Sequence, residues 1–208
     1  MYLTTSYVFK QSETVLRIAL FIGVGLAFAA SRIRRILGLM ERKRRLLLGL
    51  QGKISTDEEL NLLMLDGCRV FHDVPMKEGN IDHVVVSPLG VGAVETKMRG
   101  KPRFGNDKAT LIVDYDQNLL RFPDRVASIP KAQLESQRRW LSEFLSSAVG
   151  EPFAVTSVLA FPGWYAQTIG MRPEATFVIN PYKSQHFFCE RTFAKALGWN
   201  DLSHRPSA

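Results

Sequence analysis

Between Leu134 and Ala148, apolar side chains return every three or four positions: Leu134, Leu141, Phe144, Leu145 and Ala148, with Gln137 on the same face. That period predicts a helix with one buried stripe, bounded by Pro130 before it and Gly150 after it. Elsewhere the period shortens. Arg69–Val74, Asn80–Ser87 and Val91–Lys97 predict strands, the last two joined around Pro88-Leu89-Gly90. A looser hairpin is expected at Ala109–Asp114 and Asn118–Phe122. Phe153–Phe161 is nearly unbroken in its apolar character, as in a strand covered on both faces. Ala175–Asn180 predicts another strand and Arg191–Leu197 a closing helix. Upstream, Thr56 with Glu59, or Ser55 with Glu58, has capping-box spacing and opens a short helix that Asp66-Gly67 ends. A strand–helix–strand crossover around Pro130–Gly150 implies an α/β fold: a mixed sheet flanked by helices.

The amino-terminal pattern differs. Val15–Ala30 is apolar except for Arg17, and its unbroken part, Ile18–Ala30, is 13 residues long. A spanning helix needs about 20. The run reaches that length only if Arg17 snorkels at one boundary and Ile33–Leu37 share the other. On that basis residues 1–14 are a short terminal segment, 15–37 a transmembrane anchor helix, 38–53 a basic juxtamembrane segment, 54–200 the folded domain and 201–208 a tail. Arginines and lysine at 32–45 would meet anionic lipid, placing the chain in the inner or cell membrane as a single-pass protein with its folded domain cytoplasmic. A helix lying on the surface and a cleaved leader ending near Ala27-Phe28-Ala29 compete with this; the dense positive charge opposes export.

Composition narrows the function classes. Of 208 residues, 46% are hydrophobic and 23% charged, which excludes wholesale disorder. The formal charge of +7 arises between Ser31 and Lys53, where eight basic residues face Glu41. Residues 54–208 carry 17 basic and 18 acidic side chains, so the folded part is not a basic protein. Cys68 and Cys189 form no disulfide framework and show no partner for a thiol nucleophile. No GxSxG, Walker or dinucleotide glycine motif occurs.

Glu95-Thr96-Lys97 carries the candidate chemistry. In a strand Glu95 and Lys97 share a face. If the preceding turn holds four residues, Val86 pairs with Val91, Val84 with Ala93, and Asp82 stands opposite Glu95. A bulge at Gly90 would instead send Asp82 to the other face. Opposed carboxylates repel unless something compensates. A divalent cation does so, and hard oxygen ligands suit Mg2+ or Mn2+. Lys97 beside it would hold water and stabilise developing charge. The plainer alternative is a surface ion pair of Lys97 with either acid. Lys97, Arg99, Lys101 and Arg103 together form a candidate phosphate track for nucleic acid. His83 is expected to face away from Asp82, packed or solvated, and Trp164 to be buried rather than stacked on bases.

Gly79–Val86 (GNIDHVVV), Gly90-Val91 and Val94–Lys97 (VETK) resemble the signature of the nuclease-related domain (NERD) family, placed among the PD-(D/E)xK, restriction-endonuclease-like phosphodiesterases. The likeness covers roughly Lys53–Asn180, including Pro130–Gln133 and Phe161–Trp164. It implies a restriction-endonuclease-like core that hydrolyses DNA phosphodiesters with metal-activated water. Asp82 and Glu95 would be metal ligands, Lys97 the catalytic lysine, Glu58 or Glu59 a further ligand, and Gln133 a nucleic-acid-facing residue. Cutting both strands would favour a homodimer. The alternatives are a non-catalytic nucleic-acid-binding module and a membrane-proximal interaction module on the same fold.

Overall fold

The computed structural model describes residues 2–101, 109–171 and 176–189. The chain divides into two compact units, residues 1–47 and 48–208. Arg103 and the expected closing helix at Arg191–Leu197 lie outside the described residues.

A first helix, α1, covers Tyr2–Asn61. In the first unit it exposes large apolar side chains, among them Phe21, Leu26 and Phe28. The membrane-anchor expectation for residues 15–37 is not supported: among the described residues, no helix is long and apolar enough to cross a membrane. Thirteen uninterrupted apolar residues rise roughly 20 Å as a helix, against a hydrocarbon core of about 30 Å. Arg32, Arg34 and Arg35 then close the run.

The second unit begins inside α1 at Leu48. The capping box expected at Ser55–Glu59 does not form, because the helix passes straight through it. Thr56 is buried, and its hydroxyl donates to the Gly52 carbonyl one turn back, 2.9 Å away, instead of capping an amide. Gly52 itself permits a close approach: a Cβ there would collide with the Cβ of Met98. A short 3₁₀ turn, Leu62–Asp66, stops at Gly67, which takes the left-handed conformation at φ +82.

The strands follow the sequence pattern closely. β1 is Arg69–Pro75, β2 Asn80–Ser87 and β3 Gly90–Thr96. The predicted hairpin is β4 (Thr110–Asp114) with β5 (Leu119–Phe122); β6 (Arg125–Ser128) adds a strand to it. The long helix, α2, is Lys131–Val149, with Leu134, Gln137 and Leu141 buried and Gly150 capping it. β7 is Val155–Ala160, buried at every position. β8 (Tyr165–Ile169) was not evident in the sequence, whereas β9 (Thr176–Ile179) was; α3 (Ser184–Phe188) is the last described element.

Two mixed sheets result, so the α/β reading holds. One has the order β1-β2-β3-β7-β9, antiparallel through β3 and parallel beyond it. The other has the order β6-β5-β4-β8. Alternation along the first sheet separates two cores. Val85, Val94 and Val158 pack with Leu60, Leu63, Phe187 and Phe188. Val84, Val91 and Ala93 pack with Leu141 of α2. A third core joins the second sheet to Phe161 and Trp164. The site residues lie at the end of the first sheet, between α2 and the last turns of α1.

Candidate functional site

The β2–β3 hairpin has the four-residue register: Val86 pairs with Val91 and Val84 with Ala93. Regularity ends at His83–Val94. On the other side of β2, pairing runs from His72–His83 to Val74–Ile81 and skips Asp73 and Asp82. Asp73 has φ +47, a left-handed conformation that Asp tolerates better than most residues. The break shifts the alternation: Ile81 packs in the same core as Val84, three residues on. Asp82 therefore stands at an irregular point of the strand, where its side chain finds partners beyond the ladder.

Its two carboxylate oxygens are both engaged. Oδ2 accepts from the Thr96 amide at 2.9 Å, which brings the carboxylate to the end of β3, one residue from Glu95. Oδ1 pairs with Lys53 Nζ of α1 at 2.7 Å. Lys53 also reaches Asp73 at 3.0 Å. Burial works against the Lys53 ammonium, but hydrogen bonds to Asp82 and Asp73 outweigh it and hold its pKa above the ordinary value. The same contact with Lys53 lowers that of Asp73.

Glu95 is 4% exposed and is held from α2 instead. Gln137 Nε2 donates to its Oε2 at 2.7 Å and also reaches the Asn80 carbonyl at 3.3 Å. Lys97 Nζ donates to Glu95 Oε1 at 2.6 Å and to Gln133 Oε1 at 3.2 Å. The Lys97 amide continues the β3–β7 ladder to the Ala160 carbonyl, while its side chain stays 40% exposed. Glu95, Lys97 and Gln133 thus come together, and Asp82 approaches the same strand end held by a different helix. Glu58 is exposed and Glu59 half-buried; the acid on α1 that reaches the sheet is Asp57.

Of the basic run, Arg99 lays its guanidinium over the Phe122 ring at 4.6 Å, and its carbonyl accepts from Trp164 Nε1 at 3.2 Å. Lys101 is exposed. Trp164 is 1% exposed, as expected of a core residue. The two cysteines, 121 positions apart, do meet: Cys68 Sγ lies 4.0 Å from Cys189 Sγ, a contact that sequence separation hides. Burial, with that neighbour, pushes the Cys68 thiol up to about 12.

Sequence reasoning missed two sets of residues. Gln137 carried a visible signal, an amide on an otherwise apolar helix stripe. The second set is Asp57, His72 and His83. Asp57 Oδ1 lies 2.9 Å from Nδ1 of each histidine, and the two Nδ1 atoms are 3.2 Å apart. Among the described residues these three form the group of His, Cys, Asp or Glu whose donor atoms all lie within 4.8 Å of one another. His83, for which a packed or a solvated position was expected, is packed, 1% exposed. Burial chiefly holds its imidazole below the ordinary 6.5, against the pull of Asp57 and Asp82, with His72 and Lys53 acting in the same direction as burial. A histidine with a depressed folded pKa contributes stability above its unfolded pKa and loses it as pH falls through the folded one. The melting temperature of the full chain is therefore expected to hold above about pH 6.5 and to decline below it. A melting temperature level from about pH 7 to about pH 5 would show that His83 is not buried in its neutral form.

The side chains at the strand end offer hard oxygen donors, the type that a divalent cation takes. Asp82 and Glu95 supply carboxylate oxygens, and Gln137 Oε1 is buried without a hydrogen-bond partner among the described residues. Two lysines now balance the carboxylates, one each. An α/β domain with a buried acid-x-lysine at the end of a central strand defines the class. The comparisons then place it: the chain belongs to the nuclease-related domain (NERD) family, which matches residues 48–162, more than half of its length. No curated protein and no solved structure matches it.

Proposed function

We propose that this protein is a divalent-metal-dependent nuclease that hydrolyses DNA phosphodiester bonds by in-line attack of water at Glu95 and Lys97, with Asp82 as a further metal ligand. One observation carries the reading: a buried carboxylate oriented by Gln137 bears an ammonium at 2.6 Å that remains partly open to solvent. A cation on Asp82 and Glu95, with Mg2+ or Mn2+ the best match to oxygen donors, would supply Lewis-acid charge to a phosphoryl oxygen and lower the pKa of water. Lys97 stabilises the negative charge that grows on the phosphoryl group, and Gln133 fixes its direction. Gln137 keeps Glu95 aimed at the strand end. Arg99 and Lys101 lie on the chain just beyond and would track phosphates, Arg99 from its seat on Phe122. In the first unit, the exposed apolar residues and the arginines that follow suit an anionic lipid surface better than a crossing, which would keep the enzyme at a cytoplasmic membrane face.

A second reading, a non-cutting nucleic-acid-binding module, is favoured by Lys53 seated on Asp82, where a metal would otherwise be. Purified full-length chain, incubated with plasmid and linear DNA, separates the two. Cleavage that requires Mg2+ or Mn2+ and stops with chelator supports the nuclease. DNA retention without turnover at any metal concentration supports the binding module.

A further inference from the structure

We propose that Asp57, His72 and His83 form a binding site for a divalent transition metal, separate from the carboxylates at the end of β3. The site does not rest on the nuclease reading. Its three donors come from three elements. Asp57 lies on the last turns of α1, while His72 of β1 and His83 of β2 are directly paired across the sheet. Their rings meet edge to face, 5.5 Å between centroids, with both Nδ1 atoms turned toward the same carboxylate oxygen.

The spacing is that of ligands. A cation about 2.1 Å from each donor sets neighbouring donors about 3.0 Å apart in an octahedron and about 3.4 Å apart in a tetrahedron. The observed triangle, with edges of 2.9, 2.9 and 3.2 Å, matches one octahedral face. Two imidazoles and one carboxylate on a single face leave the opposite face for water or a substrate oxygen.

Tautomers and charge agree with this. Asn61, one turn beyond Asp57, offers its Oδ1 to His72 Nε2 at 3.2 Å. An amide oxygen only accepts, so with a cation on Nδ1 in place of a proton shared with Asp57, Asn61 would hold the His72 proton on Nε2. Thr96 Oγ1 meets His83 Nε2 at 3.1 Å and can accept its proton in the same way. Outer contacts of this kind orient histidine ligands in metal sites. Around the cluster, Asp57, Asp73 and Asp82 set three negative charges against the one positive charge of Lys53. A dication offsets the difference. Imidazole nitrogen favours Co2+, Ni2+ or Zn2+ over Mg2+, which holds to oxygen.

Calorimetry of the full chain with zinc chloride, and the absorption spectrum with cobalt chloride, test the site. One ion is expected per chain, retained in excess magnesium. His72→Ala, at an exposed position whose loss leaves the core intact, should weaken binding by more than about tenfold, and Asn61→Ala by about 10- to 100-fold. Glu95→Gln should leave the affinity unchanged. Absence of zinc and cobalt binding would overturn the proposal. So would binding that survives His72→Ala, or binding lost in Glu95→Gln alone, which would put the ion on the other carboxylates. DNA cleavage plays no part in the readout, so a chain that binds zinc and does not cut keeps this site and loses the nuclease reading.

Discussion

Replacing Lys97 with methionine lowers metal-dependent DNA cleavage by about 100- to 10,000-fold, the range expected when a positioned ammonium is removed from the reacting phosphate. Methionine keeps the length of the side chain and removes its charge. The side chain is 40% exposed and its backbone amide still bonds the Ala160 carbonyl, so the fold has little reason to change. Glu95 is buried and keeps only Gln137 once the ammonium is gone, so a loss of about 1–3 kcal/mol in stability is expected without a change of fold. The loss should fall on kcat, because the charge that Lys97 meets grows only as the phosphorus–oxygen bond breaks. Single-turnover cleavage with saturating metal reads it directly. Equal rates in the variant and the parent chain would leave the Glu95–Lys97 contact as a structural ion pair and remove the catalytic reading.

Trp164→Ala destabilises the domain by about 3–5 kcal/mol, the usual cost of emptying a large aromatic site in a core. Trp164 packs edge to face on Phe122, 5.0 Å between centroids, beside Phe161, and its Nε1 holds the Arg99 carbonyl. Its loss would also release the segment that follows Lys97. The neighbouring Tyr165 is 42% exposed beneath Lys183, and Tyr165→Ala should change stability by only about 0.5 kcal/mol. Urea melts of the two variants check the contrast. A stable Trp164→Ala chain with weakened DNA binding would mean that the indole meets bases after all.

Much of the central sheet was legible because hairpins are local. Four residues between Val86 and Val91 suffice to set the register, and alternation of Val84, Val85, Val91 and Val94 tells which side chains enter which core. The same locality made α2 readable from Pro130 to Gly150. β6 and β8 were missed because they are short and mostly exposed, so neither carries a clean apolar period. The capping box at Ser55–Glu59 misled for a related reason: the spacing of a cap is also the spacing of one helical turn, and Thr56 bonds back to the Gly52 carbonyl within a helix that runs on to Asn61.

By itself, the sequence determined the strand pair that carries Asp82, Glu95 and Lys97, the turn between them, and the family to which those motifs point. Which acid of α1 faces the sheet was decided only in three dimensions, since Asp57, Glu58 and Glu59 differ by rotation about a helix whose course the local sequence does not set. The meeting of Asp57 with His72 and His83, of Lys53 with Asp82, and of Cys68 with Cys189 likewise depends on where whole elements pack. Such contacts join residues 11 to 121 positions apart, and no local period encodes them.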